Sequence, residues 1–168
     1  GLSPLSDGTH DIRIKRTSTG GTFSEFSDSL SPVMIVDTAL PTLSSSSPAL
    51  AATGVVTSAN IVLTFSKNAI LGTGNIVLKK YSDDSTIETF NVASSLLIGV
   101  VDNVVTINPT SDMIDATQYY LTIASTAVVD LAGNAYVGIT DKAVLNWTVG
   151  VSTAGTLLWT VPLITQAA

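Results

Sequence analysis

Apolar residues recur at every second position in several short runs of this chain, and each run is bounded by Gly, Asn, Asp, Ser or Pro. In Asn60–Ser66, Ile61, Leu63 and Phe65 fall on one face, and in Asn75–Lys80 Ile76 and Leu78 do the same. Gln118–Ala124 sets Tyr119, Leu121 and Ile123 together, and Ala143–Val149 sets Leu145, Trp147 and Val149 together. A period of two is that of a β-strand, whose alternate side chains leave opposite faces; a helix needs a period of 3.6, and such patterns are almost absent. Thr86–Val92, Leu96–Val101 and Asn103–Asn108 read as further strands. About seven strands with turns every ~8–12 residues predict an all-β chain folded as an antiparallel sandwich. Its core is expected to hold Ile61, Leu63, Phe65, Ile76, Leu78, Ile107, Tyr119, Leu121, Ile123, Leu145 and Trp147. Ser44–Pro48 reads as a short polar linker or an edge strand.

Composition narrows the function. Hydrophobic residues make up 45% of the 168 residues and charged ones 12%, so the chain can bury enough apolar surface to offset the entropy of ordering. Seven Lys and Arg against thirteen Asp and Glu give a net charge of −6, which argues against nucleic-acid binding and fits a surface that is solvated or recruits cations. Cysteine is absent, which excludes disulfides, thiolate metal sites and a cysteine nucleophile. No apolar run reaches the ~18 residues of a membrane span. The chain begins at Gly1, without an initiator Met or signal peptide, and is expected to be a piece of something longer.

Both ends pose a pairing problem. Leu5–Ile14 reads as a turn entering a strand with Ile12 and Ile14 inward, and Ser31–Asp37 as another strand. Two strands do not make an independent fold, so residues 1–40 need partners. Residues 150–155 have the composition of a linker, and Thr156–Thr165 is an apolar, β-prone segment that would be an aggregation site if left exposed. Arg13, Lys15 and Arg16 form a small basic stripe, read as a solvated face or as charge that protects a sheet edge.

Four motifs, in order and spacing, carry a resemblance. Ser47-Pro48-Ala49, Ile61–Ser66, Tyr119–Ile123 and Asp130-Leu131-Ala132-Gly133-Asn134-Ala135-Tyr136 together resemble the immunoglobulin-like repeat of bacterial S-layer proteins and large surface adhesins, over about residues 41–149. Asp115–Leu121 has the form of the tyrosine corner of immunoglobulin-like domains, with Tyr119 as the corner, Tyr120 outward and Leu121 where such domains often carry Cys. Val36–Pro41 resembles the Asp-Thr-x-x-Pro end of a preceding repeat. The resemblance implies three parts: residues 1–40 as the C-terminal strands of a preceding module, 41–149 as the sandwich, and 150–168 as a linker and strand of a following or neighbouring module.

The Asp130–Asn134 loop has two readings. In one, Asp130 accepts backbone N–H bonds in a turn and Gly133 supplies a positive φ. In the other, which the resemblance implies, Asp37, Asp130 and the Asn134 carbonyl hold Ca²⁺ as hard oxygen ligands. Thr17–Gly21 stands where a preceding repeat would carry its own such loop. Other candidates read as structural. Asp83-Asp84 forms a hairpin turn, Asp112 and Asp115 cap locally, and Gly72–Asn75 is a turn without a phosphate-loop pattern. His10 is the only histidine and has no nucleophile elbow beside it. The Asn146-Trp147-Thr148 sequon lies in a strand and reads as coincidence.

The expected function is that of a structural, non-catalytic module in an extracellular bacterial tandem-repeat protein: an adhesin, an S-layer or a surface filament. Its partners are neighbouring copies, met head-to-tail through β-strand contacts. One alternative is an adhesin module that binds a glycan or host protein, for which Tyr81 and Tyr136 are the plausible exposed aromatics. The other is a structural protein of a phage virion.

Overall fold

The computed structural model describes residues 4–11 and 33–151. Its strands are β1 (Gly8–Asp11), β2 (Val33–Val36), β3 (Leu43–Ser47), β4 (Ala52–Val55), β5 (Ile61–Phe65), β6 (Ala69–Leu71) and β7 (Asn75–Lys80). They continue with β8 (Thr86–Asn91), β9 (Ile98–Val101), β10 (Val104–Ile107), β11 (Gln118–Ile123), β12 (Val128–Asp130) and β13 (Asn146–Val149). No helix occurs among the described residues.

Two sheets face each other, in the orders β3-β5-β10-β9 and β4-β13-β11-β7-β8. The alternation seen in the sequence is what builds them. Ile61, Leu63 and Phe65 of β5 point inward and meet Tyr119, Leu121 and Ile123 of β11 and Trp147 of β13. Every residue expected in the core is buried. The layer also takes in Phe90, Val105, Met113, Val128 and Tyr136. The fold is thus the expected immunoglobulin-like β-sandwich.

One edge departs from the antiparallel expectation. β3 pairs antiparallel with β5, then Pro48, which has no N–H to extend a ladder, ends it. The chain crosses to the second sheet, where β4 runs parallel to β13 through Trp147↔Ala52 and Val149↔Val55. Ser44–Pro48 is therefore largely an edge strand. A small sheet of β6 and β12 lies at one pole, and its approach is close: a Cβ on Gly72 would stand 2.2 Å from the Thr126 carbonyl oxygen, so only glycine fits there.

The tyrosine corner is present. The Tyr119 hydroxyl accepts the backbone N–H of Ile114 at 2.9 Å. Tyr120, expected to point outward, leaves the core face yet is also buried. Tyr81 covers it edge-on at 6.0 Å, and the Tyr120 hydroxyl donates to Asp84 at 3.0 Å. Leu96, expected to begin a strand, is fully exposed, and β9 starts at Ile98.

Ahead of the sandwich, β1 and β2 pair antiparallel from Gly8↔Val36 to Asp11↔Val33, with His10 opposite Met34. The inward assignment of Ile12 and Ile14, the Arg13–Arg16 stripe, the Thr17–Gly21 loop and the Thr156–Thr165 strand lie outside the described residues.

Leu121 sits fully buried between the two sheets, so Leu121→Ala leaves a cavity there and should cost about 2–5 kcal/mol. Urea denaturation of the two proteins measures it; a loss under about 0.5 kcal/mol, the range of an ordinary surface substitution, would contradict the packing described.

Candidate functional site

The pole where the chain enters the sandwich brings Asp37, Asp130 and Lys67 together. Here the segment from Asp37 to Thr42 runs beside the connection between β5 and β6. Thr42 and Ser66 bond each other twice: Thr42 N–H donates to Ser66 Oγ at 3.0 Å, and Ser66 N–H to the Thr42 carbonyl at 2.9 Å. One residue further, the Lys67 ammonium meets Asp37 Oδ1 at 2.6 Å and Oδ2 at 2.8 Å, and it also donates to the Ala39 carbonyl.

Lys67 is held from the other side by Asp130, whose Oδ2 lies 3.0 Å from Nζ. Asp130 ends β12, opposite Ala69 of β6, so the small sheet carries the acid and the base toward each other. Its side chain is only 2% exposed. A buried carboxylate must be paired and hydrogen-bonded to remain charged, and the loop that follows is shaped to do this. Asp130 Oδ1 accepts Ala132 N–H at 3.0 Å and Asn134 N–H at 2.8 Å, while Oδ2 accepts Asn134 Nδ2 at 3.0 Å. Asp130 N–H returns a bond to the Asn134 carbonyl at 2.9 Å. Gly133 closes the loop at φ +89°, a backbone conformation that disfavours a side chain. Beneath the loop Tyr136 packs edge-on against Phe65 at 5.2 Å.

Asp37, Asp130 and Asn134, named from the sequence as one set, are thus brought together: Asn134 Nδ2 also donates to the Asp37 carbonyl at 2.9 Å. Their chemistry does not fit calcium. That ion takes six to eight oxygens. Here the Asn134 main-chain carbonyl is already bonded, its side-chain amide donates toward both aspartates, and an ammonium lies between the carboxylates. Among the described residues no group of three or more His, Cys, Asp or Glu comes together. Sequence reading missed Lys67. A lone lysine after a strand looks like a solvated turn, although this one is the only basic residue between Arg16 and Lys79 and stands two residues after the strand Ile61–Phe65.

The linker is also tied on its other side. Asp7 Oδ1 accepts both the N–H and the hydroxyl of Thr38, at 3.0 and 2.7 Å. Asp37 therefore faces the sandwich, and Thr38 faces the segment that leads into β1.

The remaining candidates are engaged structurally. Asp83 Oδ1 accepts Ser85 N–H and Oγ in the β7–β8 turn. Asp84 takes Lys142 at 2.9 Å as well as the Tyr120 hydroxyl. Asn146 is buried and bonds Gln118 and the Lys142 carbonyl, in keeping with a coincidental sequon. Tyr136, expected to be exposed, is buried against the core because Phe65 and the Asp130 loop enclose it.

Residues 37–149 match the bacterial Ig-like domain family. No curated protein matches the sequence. A similar solved structure is the crystal structure of the N-terminal part of the bacterial S-layer protein SbsC, 14% identical, with a TM-score of 0.46. The likeness covers 67% of this chain and 24% of that one, so this chain spans about a quarter of its length.

The electrostatics set an acid limit on this pole. Burial pushes the Asp130 carboxyl up, but the two bonds from Asn134 and the Lys67 charge outweigh it and hold the group down at about 2, against an ordinary 3.8. A depressed folded pKa gives stability that is fully present above the unfolded value and is lost as pH falls through the folded one. Stability should therefore decline between pH ~4 and ~2, by on the order of 2 kcal/mol from this group. Urea titrations across that range should show the decline, and Asp130→Asn should flatten it; a variant with the same acid slope as the parent would exclude Asp130 as its source.

Proposed function

The chain belongs to the bacterial Ig-like domain family, and from that membership we propose that it is a structural, non-catalytic module of a bacterial cell-surface repeat protein. The observation that carries the reading is the linker. Asp37–Thr42 is anchored to the sandwich by Lys67, Ser66 and Asn134, and Thr38 is bonded to Asp7. A spacer needs such a joint, since the direction of one module relative to the next is lost when the segment between them swivels. The aspartates that could have served acid–base chemistry are instead engaged in turns and ion pairs, as Asp83, Asp84 and Asp130 are.

In this reading neighbouring copies associate head-to-tail. Support comes from the two poles. Where the chain leaves the sandwich, Val56, Ile114 and Val151 are exposed, and Gly54–Thr57, Asp115 and Gly150–Val151 line a cleft of about 270 Å³. At the opposite pole Leu131 and Val137 are exposed. Unlike poles that meet make a heterologous contact, which propagates as an open chain. The segment Thr156–Thr165 continues from the exit pole and would add a strand to a neighbour's edge.

Sedimentation velocity over a range of concentrations tests the assembly. Open-ended oligomers are expected, and deletion of residues 156–168 should abolish them while the sandwich keeps its melting transition. A monomer at every concentration, or a closed two-fold dimer, would overturn the head-to-tail reading.

A further inference from the structure

We propose that Lys67 is a resident cation that locks the incoming linker to the sandwich, so that the joint closes without a metal ion. The inference goes beyond the spacer reading and stands whether or not copies associate. Three features carry it. The ammonium lies between a carboxylate of the linker and a buried carboxylate of the domain, 2.6 Å from Asp37 and 3.0 Å from Asp130. It also donates to a main-chain carbonyl of the linker, that of Ala39. The amide of Asn134 spans the same two aspartates, donating to the Asp37 carbonyl and to Asp130 Oδ2.

Each acceptor is one that a hard divalent cation would also seek, carboxylate or main-chain carbonyl oxygen. An ammonium supplies one positive charge and three donors on a tether, and the three residues that accept from it, Asp37 through both oxygens, Asp130 and Ala39, match those donors in number. With the amine in place a divalent ion would have to displace a covalently attached competitor, whose effective concentration does not fall when free ions are removed. The lock is two-sided. Lys67 fixes Asp37 to the sandwich, and the neighbouring Thr38 is held by Asp7, so the β1–β2 side and the sandwich side meet across one dipeptide.

The test uses the full chain. It contains no cysteine, so a pair introduced at the exposed Leu5 and Leu96 takes spin labels uniquely. The distance distribution between them is measured together with thermal melting, each in millimolar calcium and in chelator. The parent should melt identically in both conditions and give one narrow distribution. Lys67→Met should lower the melting temperature and broaden the distribution severalfold. Asp37→Ala keeps the Asp130–Lys67 pair and the folded domain, and should broaden the distribution with a smaller loss of melting temperature. A parent whose melting or distance width depends on calcium would overturn the proposal. So would an Asp37→Ala protein whose distribution is as narrow as the parent's, an outcome that is readable even if Lys67→Met fails to fold.

Discussion

The apolar layer between the two sheets is the constraint on which everything else in this molecule depends. Strands that alternate every second residue have one face that water rejects, and two such faces satisfy each other only when stacked. Ile61, Leu63 and Phe65 from one sheet and Tyr119, Leu121, Ile123 and Trp147 from the other do this, and all are fully buried or nearly so. The same layer reaches the entry pole through Phe65, whose ring holds Tyr136, and so fixes the platform on which the Asp130 loop is built. With charged residues at 12% of the chain, few surface ion pairs are available, and most of the folding free energy must come from this burial.

On that platform Asp130, the one deeply buried acid among the described residues, organises the pole. A carboxylate taken out of water costs several kcal/mol unless donors replace its hydration. Asp130 is ringed by two main-chain N–H groups, one amide and one ammonium. The consequence is an ordered chain of dependence. Asp130 is nearly inaccessible and cannot be left unpaired, so it holds Lys67 in place. Lys67, thus positioned, receives Asp37, which is about a third exposed and would count for little as an isolated surface pair. The linker is docked by a weak pair that a strong one has already oriented.

Much of the fold was legible because its determinants are local. A period of two within a run such as Ile61–Phe65 or Gln118–Ile123 fixes which side chains point inward without reference to any partner. The Tyr119 corner is likewise contained within six residues, from Ile114 to Tyr119. What escaped is what partners decide. β4 joins a sheet that its own residues, Ala52–Val55, do not announce, and β6 and β12 are three-residue strands that exist because they pair. Tyr120 looked solvent-facing by alternation, yet Tyr81 arrives from another strand and covers it. At the pole, Asp37, Asp130 and Asn134 could be grouped from their motifs, whereas Lys67 is 30 residues from Asp37 and 63 from Asp130 and carries no motif. Charge balance was its one signal: two acids in a common site on a chain with few cations raise the question of which cation sits between them.

That question separates two kinds of joint. A joint closed by a free ion is as stiff as the ion's concentration permits, because the stabilisation a bound ligand gives grows with the logarithm of its free concentration above the dissociation constant. A joint closed by a lysine trades the entropy of one long side chain, roughly 2 kcal/mol, for independence from solution composition. Its failure modes then follow from proton chemistry. Asp130 releases the amine only when it is protonated far below neutrality, and Lys67, whose ammonium is stabilised first by its bond to Asp37 and also by Asp130, keeps its charge above the ordinary lysine range. A raised lysine pKa gives stability that is complete below the unfolded value and lost only as pH climbs through the folded one. Salt acts on the exposed Asp37 contact more than on the buried Asp130 one. The joint is therefore weakest at the linker and strongest at the domain, so a strained module gives way first at Asp37 and keeps its sandwich intact.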